Sequence, residues 1–486
     1  MRAVQAQTVT TTNNLNNFII TMILVLTGII MGITVATGDV GIGTAVAFVP
    51  VLFGIIALII NNPYYGLLFN FHYSFFFIGL NRYITNIPLG LVVDAILFIT
   101  SLSVIFQLYK YDVKKLNKGV FYTTLAWFIY TAFELFNPNA PKVQSWFYAT
   151  RGVTLYAIQI VPLTLLLFNK KENLDYFIRS LLIWGIASSL WGLKQINLFI
   201  DPFEQRWLDQ GGAVTHVLFG QLRAFSFYSD AGQYGVTMAY IAVVALILSL
   251  GNYSTKTRLW YAFIFVICLI GMGTSGSRGP TFAIFFGGVV YLILQRNTRI
   301  LLIGLLVGGL AFGLLKFTYI GNTNYQIYRI RSSLDTKDAS LLVRLENQKK
   351  MRDYLSTRPF GAGMGTTDVW AQRFYPNSVL ANIPTDSWFV KIWAETGVVG
   401  IIVFAFSLSY VVVYGSYFIR KLKDNDARQK LLALYAGFAG IVSASFGNPV
   451  FGQQPLGTLM YMSMAMICVA YFYDITENNN LPQKLT

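Results

Sequence analysis

Apolar runs long enough to cross a bilayer recur along the chain from Phe18 to Ile475, separated mostly by short polar stretches. A spanning helix needs about 17–25 predominantly apolar residues. The pattern therefore predicts spans at 18–36, 41–60, 64–81, 88–108, 120–136, 147–168, 178–200 and 231–250. It continues with 259–275, 280–295, 300–317, 397–418, 431–447 and 454–473. The run 64–81 contains His72 and several polar residues, so a re-entrant segment is its alternative reading. The run 18–36 is longer than a signal-peptide core and lacks a small-residue cleavage site, which makes it an uncleaved first helix.

Two connections are long, 201–230 and 318–396. In the second, DASLLVRLENQKKMRDYLSTRP reads as a helix. Asp338 would be its N-cap, Leu341, Leu345 and Leu355 its apolar face, and Pro359 its stop. A long loop carrying its own helix is more often functional than idle. The expected fold class is all-α: a polytopic integral membrane protein with about 12–14 transmembrane helices and a large extramembrane loop containing short helices. The expected organisation is a cytoplasmic tail at 1–17, eleven helices in 18–317, the large loop at 318–396, C-terminal helices in 397–473, and a cytoplasmic tail at 474–486.

Composition strengthens this reading. The 486 residues are 55% hydrophobic and only 12% charged, against about 25% in a soluble domain. The 29 Tyr and 9 Trp suit a protein with two interfaces to anchor. The net charge of +15 forms no single basic stripe, so a nucleic-acid partner is not expected. Instead YKYDVKKLNKG, NKKEN, NYSTKTR, QRNTR and IRKLKDNDARQK fall on one face if both termini are inside, as the positive-inside rule requires. Both long connections then lie outside. Cys268 and Cys468 sit within apolar runs and there are only two His residues, so neither a disulfide framework nor a metal site is expected.

The outer face holds the candidate chemistry. In GMGTSGSRGPTF, Ser277 is placed to cap the helix that Pro280 begins, and Arg278 stands beside that helix N-terminus. Free N–H groups, the helix dipole and a guanidinium together favour a phosphate or carboxylate, although an Arg snorkelling to lipid headgroups is the plainer reading. In LRAFSFYSDAGQYG, Arg223 precedes a span that Asp230 can cap. In RPFGAGMGTTD, Gly361, Gly363 and Gly365 look like a phosphate cradle, but they lack the strand-to-helix context, so a backbone turn is favoured. In PTDSWFVKIWAETGVVG, Asp386 and Ser387 precede an apolar helix, where a capping role competes with a chemical one. Glu395 with Gly397 and Gly400 reads as a structural kink. Asp94, Glu134, Arg151, Lys194 and Gln195 lie inside apolar runs, where polar groups usually face protein. Arg151 and Lys194 either widen a basic basin or pair with Glu134 and Asp94.

Taken together these clusters resemble the O-antigen ligase/O-antigen polymerase family of bacterial membrane glycosyltransferases. The shared elements are the SRG turn (Ser277, Arg278, Gly279), the upstream Arg223, and a large loop with an Arg-bearing helix (Arg344). PFGxGxG from Pro359 to Gly365 and E-x-G-x-x-G from Glu395 to Gly400 complete the pattern, which covers roughly 223–418. The resemblance implies a sugar chain on a polyprenyl diphosphate as donor, a glycan or lipid acceptor, no cofactor and no metal. It also implies an inner-membrane, multi-pass location with the active site facing the periplasm, and a chain-length regulator as a possible partner. Arg223, Arg278 and Arg344 would bind the diphosphate, with Ser277, Gly279, Arg151, Lys194, Gly363 and Ser387 in support. Ligase members typically carry His-Asn where this chain reads Asp386-Ser387, so Asp386 becomes the expected base. That departure inclines the reading toward a polymerase of lipid-linked repeat units. A ligase passing the glycan to lipid A core or protein is the alternative. A polysaccharide or lipid transporter is a second one, which predicts internal repeats that we do not find.

Overall fold

The computed structural model describes residues 40–84, 87–218, 220–323, 325–332 and 339–474. The expected span 18–36, both tails and Asp338 lie outside the described residues. The chain divides into two compact units, Met1–Gly66 with Phe98–Gln107, and Leu67–Leu97 with Leu108–Thr486. Within the first, the Ser103 hydroxyl donates to the Ile60 carbonyl at 2.9 Å. All the candidate chemistry belongs to the second.

The fold is that of an all-α, polytopic membrane protein. Among the described residues, seven helices are long and apolar enough to cross a membrane, and shorter apolar helices include Gly279–Leu294 and Leu456–Cys468. Strand is confined, among those residues, to a small hairpin pairing Val217–Leu218 with Gln221–Leu222. This outcome suits lipid, because a helix satisfies its own backbone polar groups.

Helix Ala231–Ser249 is the most enclosed of these spans and packs against Thr255–Thr274, Gly279–Leu294 and Asn425–Ala444. Lipid is as apolar as Leu, so close approach between helices rests on small residues and interhelical hydrogen bonds. A β-carbon on Gly287 would lie 2.9 Å from the Ala436 carbonyl, and one on Gly437 would press on the Tyr240 ring at 2.6 Å. The Tyr240 and Ser463 hydroxyls meet at 2.8 Å. Helix Thr298–Phe317 is the opposite case, with no buried residue in its apolar window.

Two irregularities prepare the site. Helix Val143–Leu167 carries a π-helical turn at Arg151–Leu155, and single-turn π-bulges frequently mark functional sites. Carbonyls of that turn are capped from neighbouring helices by Trp127 Nε1 on Val153 at 3.1 Å and Tyr461 Oη on Gly152 at 2.8 Å. The second irregularity is in helix Trp388–Lys421. It starts at Trp388 rather than at the expected 397, and position 397 is instead its kink, with Gly397 at φ 69° and ψ −168°.

The large loop folds back onto that kink. Ala362 N–H donates to the Ala394 carbonyl and Gly363 N–H to the Glu395 carbonyl, each at 2.9 Å. Gly361, Gly363 and Gly365 all have positive φ. A β-carbon on Gly361 would sit 2.5 Å from the Gly397 nitrogen, and one on Gly397 would collide with the Pro359 carbonyl. The glycines therefore let two backbones touch. The loop helix is Ala339–Leu355, and only part of the expected face is realised. Leu355 and Met351 are buried with Ala362, Leu380, Ile383 and Ala394, whereas Leu341 and Leu345 are exposed. The small core under the loop reaches only the C-terminal half of the helix.

Gly397→Ala should lower the thermal midpoint of the purified protein. Backbone strain alone costs about 1–3 kcal/mol at such a position, before the collision with Pro359 is added. An unchanged midpoint would mean that the kink does not depend on glycine.

Candidate functional site

The SRG turn joins helices Thr255–Thr274 and Gly279–Leu294. Gly276 takes φ 55° to make the reversal. Ser277 does not cap the second helix, as the sequence led us to expect: Arg278 occupies the N-cap position, and its side chain makes no capping bond. The reversal at Gly276 sets the helix start one residue later. Ser277 instead donates its N–H to the Ser275 hydroxyl at 3.2 Å. Arg278 stays at the helix N-terminus, where the dipole favours an anion.

Arg223 is brought to this turn by backbone pairing. Its neighbour Ala224 donates to the Thr274 carbonyl at 3.0 Å. The Arg223 guanidinium donates from Nε to the Ser275 carbonyl at 3.0 Å and from Nη1 to the Thr215 carbonyl at 2.9 Å. Asp230 caps helix Ala231–Ser249 as expected, accepting from Gln233 N–H at 2.9 Å. Arg329, which the sequence reading did not single out, donates Nε to the Gly276 carbonyl at 3.3 Å.

The segment Ser445–Gln454 draws the other elements in. The Ser445 carbonyl accepts from the Ser387 hydroxyl at 3.2 Å and from Trp388 N–H at 2.9 Å. A β-carbon on Gly447 would lie 3.7 Å from Arg344 Nη1. Asn448 Nδ2 is buried without a hydrogen-bond partner, at a point where a β-carbon on Gly279 would collide with it. Gly279 is thus the residue that admits Asn448 to the SRG turn. Nothing in the hydrophobic pattern singled out this segment beyond a polar insert, GNPVFGQQP, between two apolar runs.

Asp386 is half-buried beside Ser387. It is not the helix cap: Ser387 holds that position, without a side-chain capping bond. Asp386 adopts φ 52°, a left-handed conformation in which Asp, Asn and His are enriched among non-glycine residues. Among the described residues its carboxylate has no hydrogen-bond or ion-pair partner. A strained backbone that presents an uncommitted carboxylate is the kind of outlier that clusters at functional sites.

The other expected site residues have compensated charges or serve the backbone. Arg151 pairs with Asp94, with Nε to Oδ1 at 3.1 Å, and also donates to the Gly90 carbonyl at 3.0 Å. Lys194 contacts Asp201 at 3.0 Å and Glu204 at 3.1 Å and lies over the Trp191 ring. Burial opposes ionisation of Asp201, yet hydrogen bonds from Tyr83, the Glu204 backbone and Lys194 hold its carboxyl well below the usual range. Gly363 belongs to the backbone crossing, and Ser145 rather than a ligand lies against Gly365. Glu395 is structural, buried against Thr367 and Lys391.

Residues 263–405 match the protein-family model described as O-antigen ligase. The match runs through the SRG turn, the large loop, Asp386 and the kink. It supports the O-antigen ligase/polymerase family to which the sequence motifs pointed. No curated protein matches the chain.

Two outcomes follow from this geometry. Gly279→Ala should expel the Asn448 amide from the SRG turn and cut activity at least about tenfold, since displacements near 1 Å can cost as much as 100-fold. The check is turnover together with a thermal midpoint close to that of the parent. His216 gives a pH effect. Its Nε2 accepts from Ala231 N–H at 3.2 Å, and its Nδ1 meets the Gly212 carbonyl at 2.9 Å. Burial lowers its pKa, helped by Arg223 and Arg82 and opposed by the Gly212 carbonyl and Asp230. The neutral ring is therefore the folded form, and its contribution is complete above the unfolded value of 6.5 and lost as pH falls. The thermal midpoint should drop between pH 7.5 and about 5.5, and His216→Gln should flatten that slope.

Proposed function

Proceeding from the family match, we propose that the protein polymerises polyprenyl-diphosphate-linked oligosaccharide repeat units. The reaction would take place on the periplasmic face of a bacterial inner membrane, building O-antigen or exopolysaccharide. The observation that supports this reading is that Arg223 bonds to the turn that holds Arg278, while Ser387, the residue after Asp386, bonds to Ser445 and Arg344 approaches Gly447 in the segment that packs on that turn.

The chemistry fits those residue types. The donor sugar is joined to diphosphate through its anomeric carbon. When that bond breaks, negative charge grows on the diphosphate oxygens, and fixed cations stabilise the leaving group more than the ground state. Arg engages such oxygens in bidentate fashion, and Arg223 is itself oriented by two carbonyl acceptors. The Asp386 carboxylate takes the proton from the acceptor hydroxyl as that oxygen attacks the anomeric carbon. The lipid diphosphate departs, and the new glycosidic bond carries the chain onto the acceptor unit. A chain-length regulator would act outside these steps.

The family description favours a second reading, ligation of a finished glycan to lipid A core or protein. The two separate by product. Purified protein in lipid nanodiscs, supplied only with a lipid-linked repeat unit, should yield a ladder of longer lipid-linked glycans. Transfer that occurs only when lipid A core or a protein acceptor is added would overturn the polymerase reading. Arg278→Ala and Arg223→Ala should each lower turnover by at least about 100-fold, the loss typical of one preorganised charge-stabilising group. Membrane insertion should be retained. Near-normal polymer from both variants would exclude the arginine clamp.

A further inference from the structure

Asp368 and Asp386 share an unusual feature: each is a non-glycine residue at φ 52°. One residue links them. The Thr385 hydroxyl donates to the Asp368 carboxylate, 3.0 Å from each oxygen, and Thr385 N–H approaches Oδ1 at 3.4 Å. Asp368 is held in turn by Lys391, whose Nζ lies 3.2 Å from Oδ2. Lys391 also donates to Glu395 Oε1 and to the Thr367 hydroxyl, both at 3.0 Å. Thr367, Thr385, Lys391 and Glu395 are all buried.

This cluster has two arms with different destinations. The Lys391–Glu395–Thr367 arm lies at the kink, which the Gly361–Gly397 crossing and two backbone hydrogen bonds already fix. The Asp368–Thr385 arm reaches nothing in the kink. It ends on the residue bonded to Asp386. A left-handed non-glycine residue costs about 1–3 kcal/mol and persists only where its surroundings over-determine it. The Asp386 side chain has no partner among the described residues, so the constraint must come through its two neighbours. Ser387 is held by its hydroxyl on the Ser445 carbonyl. Thr385 is held by Asp368.

We propose that Asp368 is a positioning residue for the transfer reaction: anchored by Lys391, it grips Thr385 and so fixes the left-handed turn that presents the Asp386 carboxylate to the acceptor. The proposal rests on Asp386 being the base. Asp368 makes no contact with substrate in this scheme, and Lys391 serves as its counter-charge.

The test uses the full-length protein in nanodiscs with a lipid-linked repeat unit, measuring kcat, KM and thermal midpoint. Asp368→Gly removes the carboxylate while tolerating φ 52°, and Thr385→Val removes the hydroxyl at nearly constant shape. Each should lower kcat roughly 10- to 100-fold with KM within about twofold, the signature of misplaced chemistry rather than lost binding. Thr385→Ser keeps the donor and should restore turnover. On an Asp386→Asn background, Thr385→Val should cause no further loss, because there is then no carboxylate to orient. Wild-type kcat in folded Thr385→Val, or an undiminished further loss on the Asp386→Asn background, would overturn the positioning role while leaving the base assignment standing. Full activity in Asp386→Asn alone would remove the base and the proposal with it.

Discussion

The site depends on one backbone crossing. Pro359–Gly363 passes against Glu395–Gly397 so closely that neither chain has room for a β-carbon at Gly361 or Gly397. The crossing ties the end of a long extramembrane excursion to a kink inside a membrane helix. It therefore fixes where the following turn can be, and Asp386 stands in the connection between the two. Helix Ala339–Leu355 is held through the same contact, because Ala362 and Ala394 form the floor on which Met351 and Leu355 pack. Arg344 belongs to that helix, so its reach to Gly447 is set partly by the two glycines of the crossing, Gly361 and Gly397, which lie further along the chain.

Charge is distributed around this frame in two ways. A cation in or near lipid is costly unless it is compensated. Arg151 and Lys194 meet carboxylates directly, and Lys391 bridges two of them. Arg223 and Arg329 also donate to backbone carbonyls around the turn where Arg278 sits, which fixes the direction of their guanidinium groups.

Much of this was legible in the chain. The apolar runs marked the helices because bilayer thickness sets their length and lipid requires the backbone to satisfy its own polar groups. Asp230 announced its cap, and Glu395 with Gly397 announced the kink. The glycine run was readable as a turn because strand-to-helix context was missing. Contacts between distant segments were not legible. Ser277 looked like a cap by spacing, but the positive φ of Gly276 moves the cap to Arg278. Leu341 and Leu345 shared a helical face with Leu355, yet only the far half of that helix has a core to meet. Arg329 and Asn448 carry no local signature, since their meaning comes from where the SRG turn lies. Lys391 had one faint signal, a cation four residues before Glu395 in an otherwise apolar helix.

Asp386, which we propose as the base, sits in a left-handed turn that only a few residue types tolerate. His is among them, so Asp386→His can occupy the same backbone while changing the titrating group. The decisive measurement is the pH dependence of kcat for the parent and for Asp386→His. If residue 386 takes the acceptor proton, the acid limb of the profile must move to higher pH in the variant, toward the imidazole value of about 6.5. Superimposable acid limbs in two active proteins would exclude residue 386 as the base.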